Sequence, residues 1–185
     1  MVKLKKAIFL DRDGVIIKVS IENGIPHPPE SIHEVEFCEG AISALQELKN
    51  TDFEIIVVTN QPDVARGKTS LKKVLEIHNF IEEATTISKF YICPHDDSDG
   101  CMCRKPLPGL LRSAADELNI NLKQSIIIGD RWKDITAGQA VGCTCFFINA
   151  NYSEKKPIPP FVEVKSLRDA VNLILEGGRD QYHTK

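Results

Sequence analysis

Short runs of almost wholly apolar, β-branched and aromatic residues recur along the chain: AIFL (7–10), FEIIVVT (53–59), KFYIC (89–93), SIIIGD (125–130) and TCFFIN (144–149). A strand without alternation of apolar and polar residues has no face to offer water, so each run predicts a strand covered on both sides. Between the runs lie stretches with helical periodicity, roughly 41–50, 70–84, 108–118 and 132–141, with another at 166–176 after the turn-rich SEKKPIPP. Such alternation, with right-handed crossovers, predicts an α/β fold: a doubly wound parallel sheet. No internal repeat or low-complexity tract interrupts the pattern. A chain of 185 residues, 42% hydrophobic and 26% charged, fits one domain over 1–185 with a sizeable core.

Ligands gather at the carboxyl ends of the strands in sheets of this kind. Here the first run ends in LDRDGVI, giving Asp11 and Asp13; the second ends in TNQ, giving Thr59, Asn60 and Gln61; a later one ends in GDRWKD, giving Asp130 and Asp134. Any one of these reads as a cap or a turn residue. Together they predict a site. Asp11 and Asp13, followed by a turn at Gly14, and Asp130 from another strand make a cage of hard oxygen ligands that suits Mg²⁺. Thr59 and Asn60 fit as groups that hold phosphoryl oxygens, and Lys105 as the cation for developing charge. The chain has neither GxxxxGK[ST] nor GxGxxG, so phosphate would be bound without a P-loop.

The stretch CPHDDSDGCMCRKP (93–106) sets three cysteines and a histidine beside two cations. Cys93, His95, Cys101 and Cys103 form C-x-H-x5-C-x-C, two close ligand pairs whose spacing predicts a closed Cys3His zinc shell over a loop at 93–103; the alternative is a loop of reduced thiols. Cys38, Cys143 and Cys145, the rest of the six cysteines, read as small buried thiols. No apolar run is long enough to span a membrane, and the start MVKLKK leads into too few apolar positions for a signal-peptide core, so a cytoplasmic protein is expected. A formal net charge of -3 gives no polycationic footprint for nucleic acid or a membrane surface.

FLDRDGVI, VVTNQ, CRKP and IIIGDRWKDI, in that order, resemble the motifs of the haloacid dehalogenase (HAD) superfamily of phosphatases. With the CPH…CMCRKP knuckle they resemble its branch of D-glycero-D-manno-heptose 1,7-bisphosphate phosphatases and the related histidinol-phosphate phosphatases. The resemblance spans about residues 6–150. It implies a HAD-like fold without a large cap domain, and Mg²⁺-dependent removal of the 7-phosphate from the heptose bisphosphate, for heptose nucleotides of lipopolysaccharide, S-layer or capsule. It further implies that Asp11 is the nucleophile and Asp13 the general acid and base. Thr59 would hold the phosphoryl group. Mg²⁺ would be held by the side chains of Asp11 and Asp130 and by the main-chain carbonyl of Asp13, while Asp134 orients Lys105 or a metal-bound water.

Zinc would then be structural, fixing Arg104 and Lys105 at the entrance, with Arg104 free to meet a second anionic group. Asn60, Gln61, Arg66, Arg104 and Arg131 are the expected substrate contacts, with a solvated basic turn as the other reading of Arg66. Pro62 removes a backbone donor next to the phosphate, and the segment after the first motif, IKVSIENGIPHPPES, is long and proline-containing. His27, His33 and His78 are expected at the surface or in loops. A monomer acting on a small sugar phosphate is expected. A histidinol-phosphate phosphatase shares every motif and remains open. A non-enzymatic phosphate-binding module would not need both Asp11 and Asp13. A polynucleotide 3'-phosphatase would need a basic groove with stacking aromatics, whereas half of the eight Phe, three Tyr and one Trp fall in the strand runs.

Overall fold

The computed structural model describes residues 4–85 and 87–177. Its main sheet is built from β1 (Lys6–Leu10), β4 (Phe53–Asn60), β5 (Phe90–Cys93), β6 (Ile126–Gly129), β7 (Thr144–Ile148) and β8 (Val162–Val164). The six strands lie in the order β5-β4-β1-β6-β7-β8, and every neighbouring pair is parallel. The order reverses at β1, between β4 and β6, which is the switch point where such sheets open a crevice.

Period-2 geometry divides each apolar run between the two faces. Ile8, Leu10, Val57, Ile128 and Phe146 pack against α1 (Ala41–Leu48), α2 (Leu71–Thr85) and α5 (Leu167–Glu176). Ala7, Phe9, Val58, Ile127 and Phe147 pack against α3 (Gly109–Leu118) and α4 (Trp132–Gln139). The strands and helices read from the sequence are all present, and no separate cap domain is found among the described residues.

Two elements were not expected. β8 is a short edge strand whose middle residue, Glu163, is exposed, so it lacks the continuous apolar signal of the others. The segment after β1 folds into an antiparallel hairpin, β2 (Ser20–Glu22) and β3 (Ile25–His27). Its turn residues Asn23 and Gly24 both have positive φ, 53° and 77°. This is the conformation that Asn-Gly favours in a two-residue hairpin loop.

One expectation fails outright. His78 is buried in α2, not at the surface, because the helical repeat places it on the inward face with Val74, Ile77 and Ile81. Its ring stacks on Phe90 with centroids 4.4 Å apart. Burial holds its pKa down to about 3, with the Arg12 charge adding to the effect, so the neutral ring accepts from Arg12 Nη1 at 3.2 Å. His27 and His33 are exposed as expected, and Cys143 and Cys145 are buried, whereas Cys38 is only half-buried.

Candidate active site and metal centres

At the carboxyl edge of β1, β4 and β6 lies a cavity of about 310 Å³, within the size range of small-molecule sites. Asp11, Asp13, Asn60, Gln61, Arg66, Arg104, Lys105, Asp130, Arg131 and Asp134 all line it, so residues far apart in sequence share one wall. Thr59 lies beneath them, fully buried, with its Oγ1 accepting from Gln61 Nε2 at 2.8 Å. The β2–β3 hairpin also lines it, through Ile25, Pro26 and His27.

Asp11, Asp130 and Asp134 bring carboxylate oxygens within 4.8 Å of one another, all buried. Burial raises the pKa of Asp130 well above the ordinary carboxylate range, and the neighbouring charges of Asp11 and Asp134 raise it further. Converging like charges of this kind call for a cation. Two are accommodated. The first is Lys105, 1% exposed, whose Nζ reaches Asp134 Oδ1 at 2.5 Å, Asp11 Oδ1 at 3.1 Å and the Val58 carbonyl at 2.7 Å. Burial alone would lower its pKa, but Asp11 and Asp134 outweigh burial and hold it above the ordinary lysine value. The second place is at Asp130 Oδ1, a buried oxygen with no hydrogen-bond partner. An unpaired buried carboxylate oxygen beside another carboxylate suits a hard divalent ion.

Asp13 lines the same cavity but lies outside this cluster. Arg12 binds it in a fork, Nε to Oδ1 and Nη2 to Oδ2, both at 3.0 Å, and Gln61 Nε2 donates to Oδ2 at 2.7 Å. Burial raises its proton affinity against the opposing Arg12 charge. Arg12 gave no signal in sequence beyond its place between two aspartates, yet it is 1% exposed and orients the second of them. Asn60 binds residue 105: its Nδ2 donates to the Lys105 carbonyl at 3.0 Å and its Oδ1 accepts from the Lys105 N–H at 3.1 Å. Its amide therefore acts on the lysine backbone in addition to lining the cavity.

In the knuckle, Cys93, His95, Cys101 and Cys103 present donor atoms within 4.8 Å of one another. The sulfurs lie 3.1 to 3.6 Å apart, and His95 Nδ1 is 3.3 Å from Cys103 Sγ. Three thiols and an imidazole nitrogen converging on one point fit a closed tetrahedral zinc shell. All six cysteines are unbridged. Arg104, next to the last ligand, donates from Nε to Asp97 at 2.6 Å and from Nη1 to the His95 carbonyl at 3.2 Å, so the loop itself fixes its direction. Arg66 is held by Asp96 and Asp63. Arg131 is paired with Glu154.

Residues 102–170 match the HAD-hydrolase-like family. The chain is 34% identical over 177 residues to a Campylobacter jejuni protein named D-glycero-alpha-D-manno-heptose-1,7-bisphosphate 7-phosphatase, covering 92% of this chain and 96% of that one. The chain belongs to the HAD-like phosphatases. A second relative of this phosphatase, from Vibrio cholerae and named for the beta anomer, is 36% identical over 150 residues, 75% of this chain and 77% of its own. Among solved structures, the D,D-heptose 1,7-bisphosphate phosphatase from B. bronchiseptica, complexed with magnesium and phosphate, superposes with a TM-score of 0.81 at 26% identity, covering 92% of this chain and 98% of that one. As a HAD-like phosphatase the chain is a phosphoric monoester hydrolase. No helix among its described residues is long and apolar enough to cross a membrane.

Proposed function

We propose that this phosphatase removes the 7-phosphate of D-glycero-D-manno-heptose 1,7-bisphosphate by way of an aspartyl-phosphate on Asp11. The observation that carries the reading is the pairing of Asp11 with buried Lys105 in a cavity that Arg66, Arg104, Arg131 and Lys133 also line. The pair suits the phosphoryl group transferred, and the basic residues suit a second anion. The relatives named for heptose bisphosphates support that substrate.

In the first step a carboxylate oxygen of Asp11 attacks phosphorus, the bond from phosphorus to the sugar oxygen breaks, and Asp13 gives its proton to the departing oxygen. A water then attacks the aspartyl-phosphate, its proton passes to Asp13, and inorganic phosphate leaves as the Asp11 carboxylate is restored. The raised proton affinity of Asp13 suits it to carry that proton. Lys105 lies where it can stabilise charge on the phosphoryl oxygens in both steps. Asp134 holds the lysine, and Thr59 and Gln61 support the phosphate site.

The cation read for Asp11 and Asp130 is Mg²⁺, with the Asp13 carbonyl as a further ligand; bound, it would withdraw charge from the phosphoryl oxygens. Zinc in the knuckle is structural, since four protein ligands leave it no open position. Metal analysis of the purified protein is expected to find about one zinc per chain, and Cys101→Ser is expected to lose it and to lower turnover on every ester, with no recovery on adding Mg²⁺. Retention of zinc and full activity in that variant would separate the knuckle from the site. Unbridged cysteines suit a reducing compartment, so the reading places the enzyme in the cytoplasm; light scattering tests the monomer expected there.

The substrate is tested by initial rates on both heptose bisphosphate anomers and on histidinol phosphate. Charge-assisted hydrogen bonds contribute about 1.5–3 kcal/mol each, so one such contact to the second phosphate predicts a kcat/KM about 10–100 times higher for the bisphosphates. Higher kcat/KM on histidinol phosphate would assign the chain to that reaction instead.

A further inference from the structure

Asp130 directly follows β6, with its two oxygens in different circumstances. Oδ2 accepts a hydrogen bond from the Tyr152 hydroxyl at 2.7 Å, whereas Oδ1 has no partner. Both groups are buried, the tyrosine 7% exposed and the aspartate 2%. A carboxylate free at both oxygens can rotate, and can take a cation with either oxygen or with both. One tied at Oδ2 is held in orientation and keeps Oδ1 as its unshared oxygen. We propose that Tyr152 is the positioning residue that reserves Asp130 Oδ1 for the divalent cation, an inference that rests on the cation reading above.

The surroundings are built to keep this bond. Gly14, at φ +82°, lets the first loop pass so close that a Cβ there would lie 1.9 Å from Asp130 Oδ2 and 2.9 Å from the Tyr152 hydroxyl. Only glycine leaves that space for the bond. The tyrosine is also fixed from its C-terminal side, where the next two residues tie down other parts of the cavity wall. The Ser153 N–H donates to the Gly24 carbonyl at 2.8 Å, anchoring the hairpin turn, and Glu154 pairs with Arg131. The chain that carries Tyr152 is thereby held at two further anchors. Partners one layer behind a metal ligand orient it in this way, and their loss typically weakens metal binding by about 10- to 100-fold.

The test reads metal binding, not turnover, using Mn²⁺ as the probe and the EPR signal of the free ion. Tyr152→Phe keeps the ring and removes only the donor. It is expected to bind Mn²⁺ at least about 10-fold more weakly than the unmodified protein, with zinc content unchanged. If that variant does not fold, Tyr152→Leu replaces it in the comparison. Mn²⁺ affinity in the donor-free variant equal to that of the unmodified protein would overturn the role of the hydroxyl. Absence of Mn²⁺ binding in the unmodified protein would overturn the cation reading and this inference with it.

Discussion

Asp11→Asn is expected to reduce phosphate release by about 10⁴-fold or more, because the amide cannot attack phosphorus and the cation site loses a charge in the same change. The fold should not suffer. Asp11, Asp130 and Asp134 crowd their carboxylates within 4.8 Å, so removing one charge relieves repulsion that burial makes expensive. Asn also keeps an oxygen that can accept the Arg12 N–H, as Asp11 Oδ1 does at 2.7 Å. The melting temperature of the variant in chelator is therefore expected to match or exceed that of the unmodified protein. Phosphate release and thermal unfolding, measured on the same preparation, check both halves. Near-normal turnover would place the nucleophile elsewhere, and a collapse in stability would show that the activity loss is not chemical.

Lys105→Met is expected to have the opposite signature, losing both activity and stability. In catalysis it removes the cation proposed to stabilise the phosphoryl oxygens, a loss of about 10²–10³-fold by comparison with other preorganised donors. In stability it leaves Asp134 without its partner at 2.5 Å and Asp11 without its partner at 3.1 Å. Uncompensated buried charges of this kind cost about 3–5 kcal/mol. Because the folded protein raises the lysine pKa, its contribution is fully present below the unfolded value of about 10.4 and fades only as the pH rises through the higher folded value. The difference between the two proteins should therefore hold across neutral and mildly alkaline pH. Added Mg²⁺ should narrow it by neutralising Asp11, the carboxylate that the lysine and the cation share. Denaturant titrations with and without Mg²⁺ measure this, and an unaffected midpoint would mean that Lys105 is not the counter-ion of the cluster.

The strands were legible because a parallel sheet covered on both faces demands apolar residues at consecutive positions, as in AIFL and SIIIGD. The convergence of Asp11, Asn60 and Asp130 followed from strand direction alone, since the carboxyl ends of parallel strands share an edge. The Cys3His cluster was legible because all four residues lie in one short loop. β8 escaped because an exposed edge strand of three residues carries too little pattern. The hairpin did carry a local signal, Asn23-Gly24, but the prolines around it read as an irregular segment.

The remaining site residues act over distances that no local pattern records. His78 meets Arg12 across 66 positions, and Tyr152 meets Asp130 across 22. Arg12 drew no assignment, since alternation points neighbouring side chains apart along a strand, yet the turn after β1 folds its guanidinium back onto Asp13. Asn60 was read as a phosphate ligand from its place after Thr59. Its bonds to the Lys105 backbone depend on where the knuckle docks, which strand order does not specify.

Phosphorus-31 NMR of the wild-type enzyme acting on D-glycero-D-manno-heptose 1,7-bisphosphate with Mg²⁺ tests the central claim most directly, because the two phosphates of the substrate give separate signals. The account predicts that the 7-phosphate resonance is replaced by inorganic phosphate while the anomeric phosphate persists, and that chelator stops the change. Loss of the anomeric phosphate, or an unchanged spectrum beside rapid hydrolysis of histidinol phosphate, would contradict it.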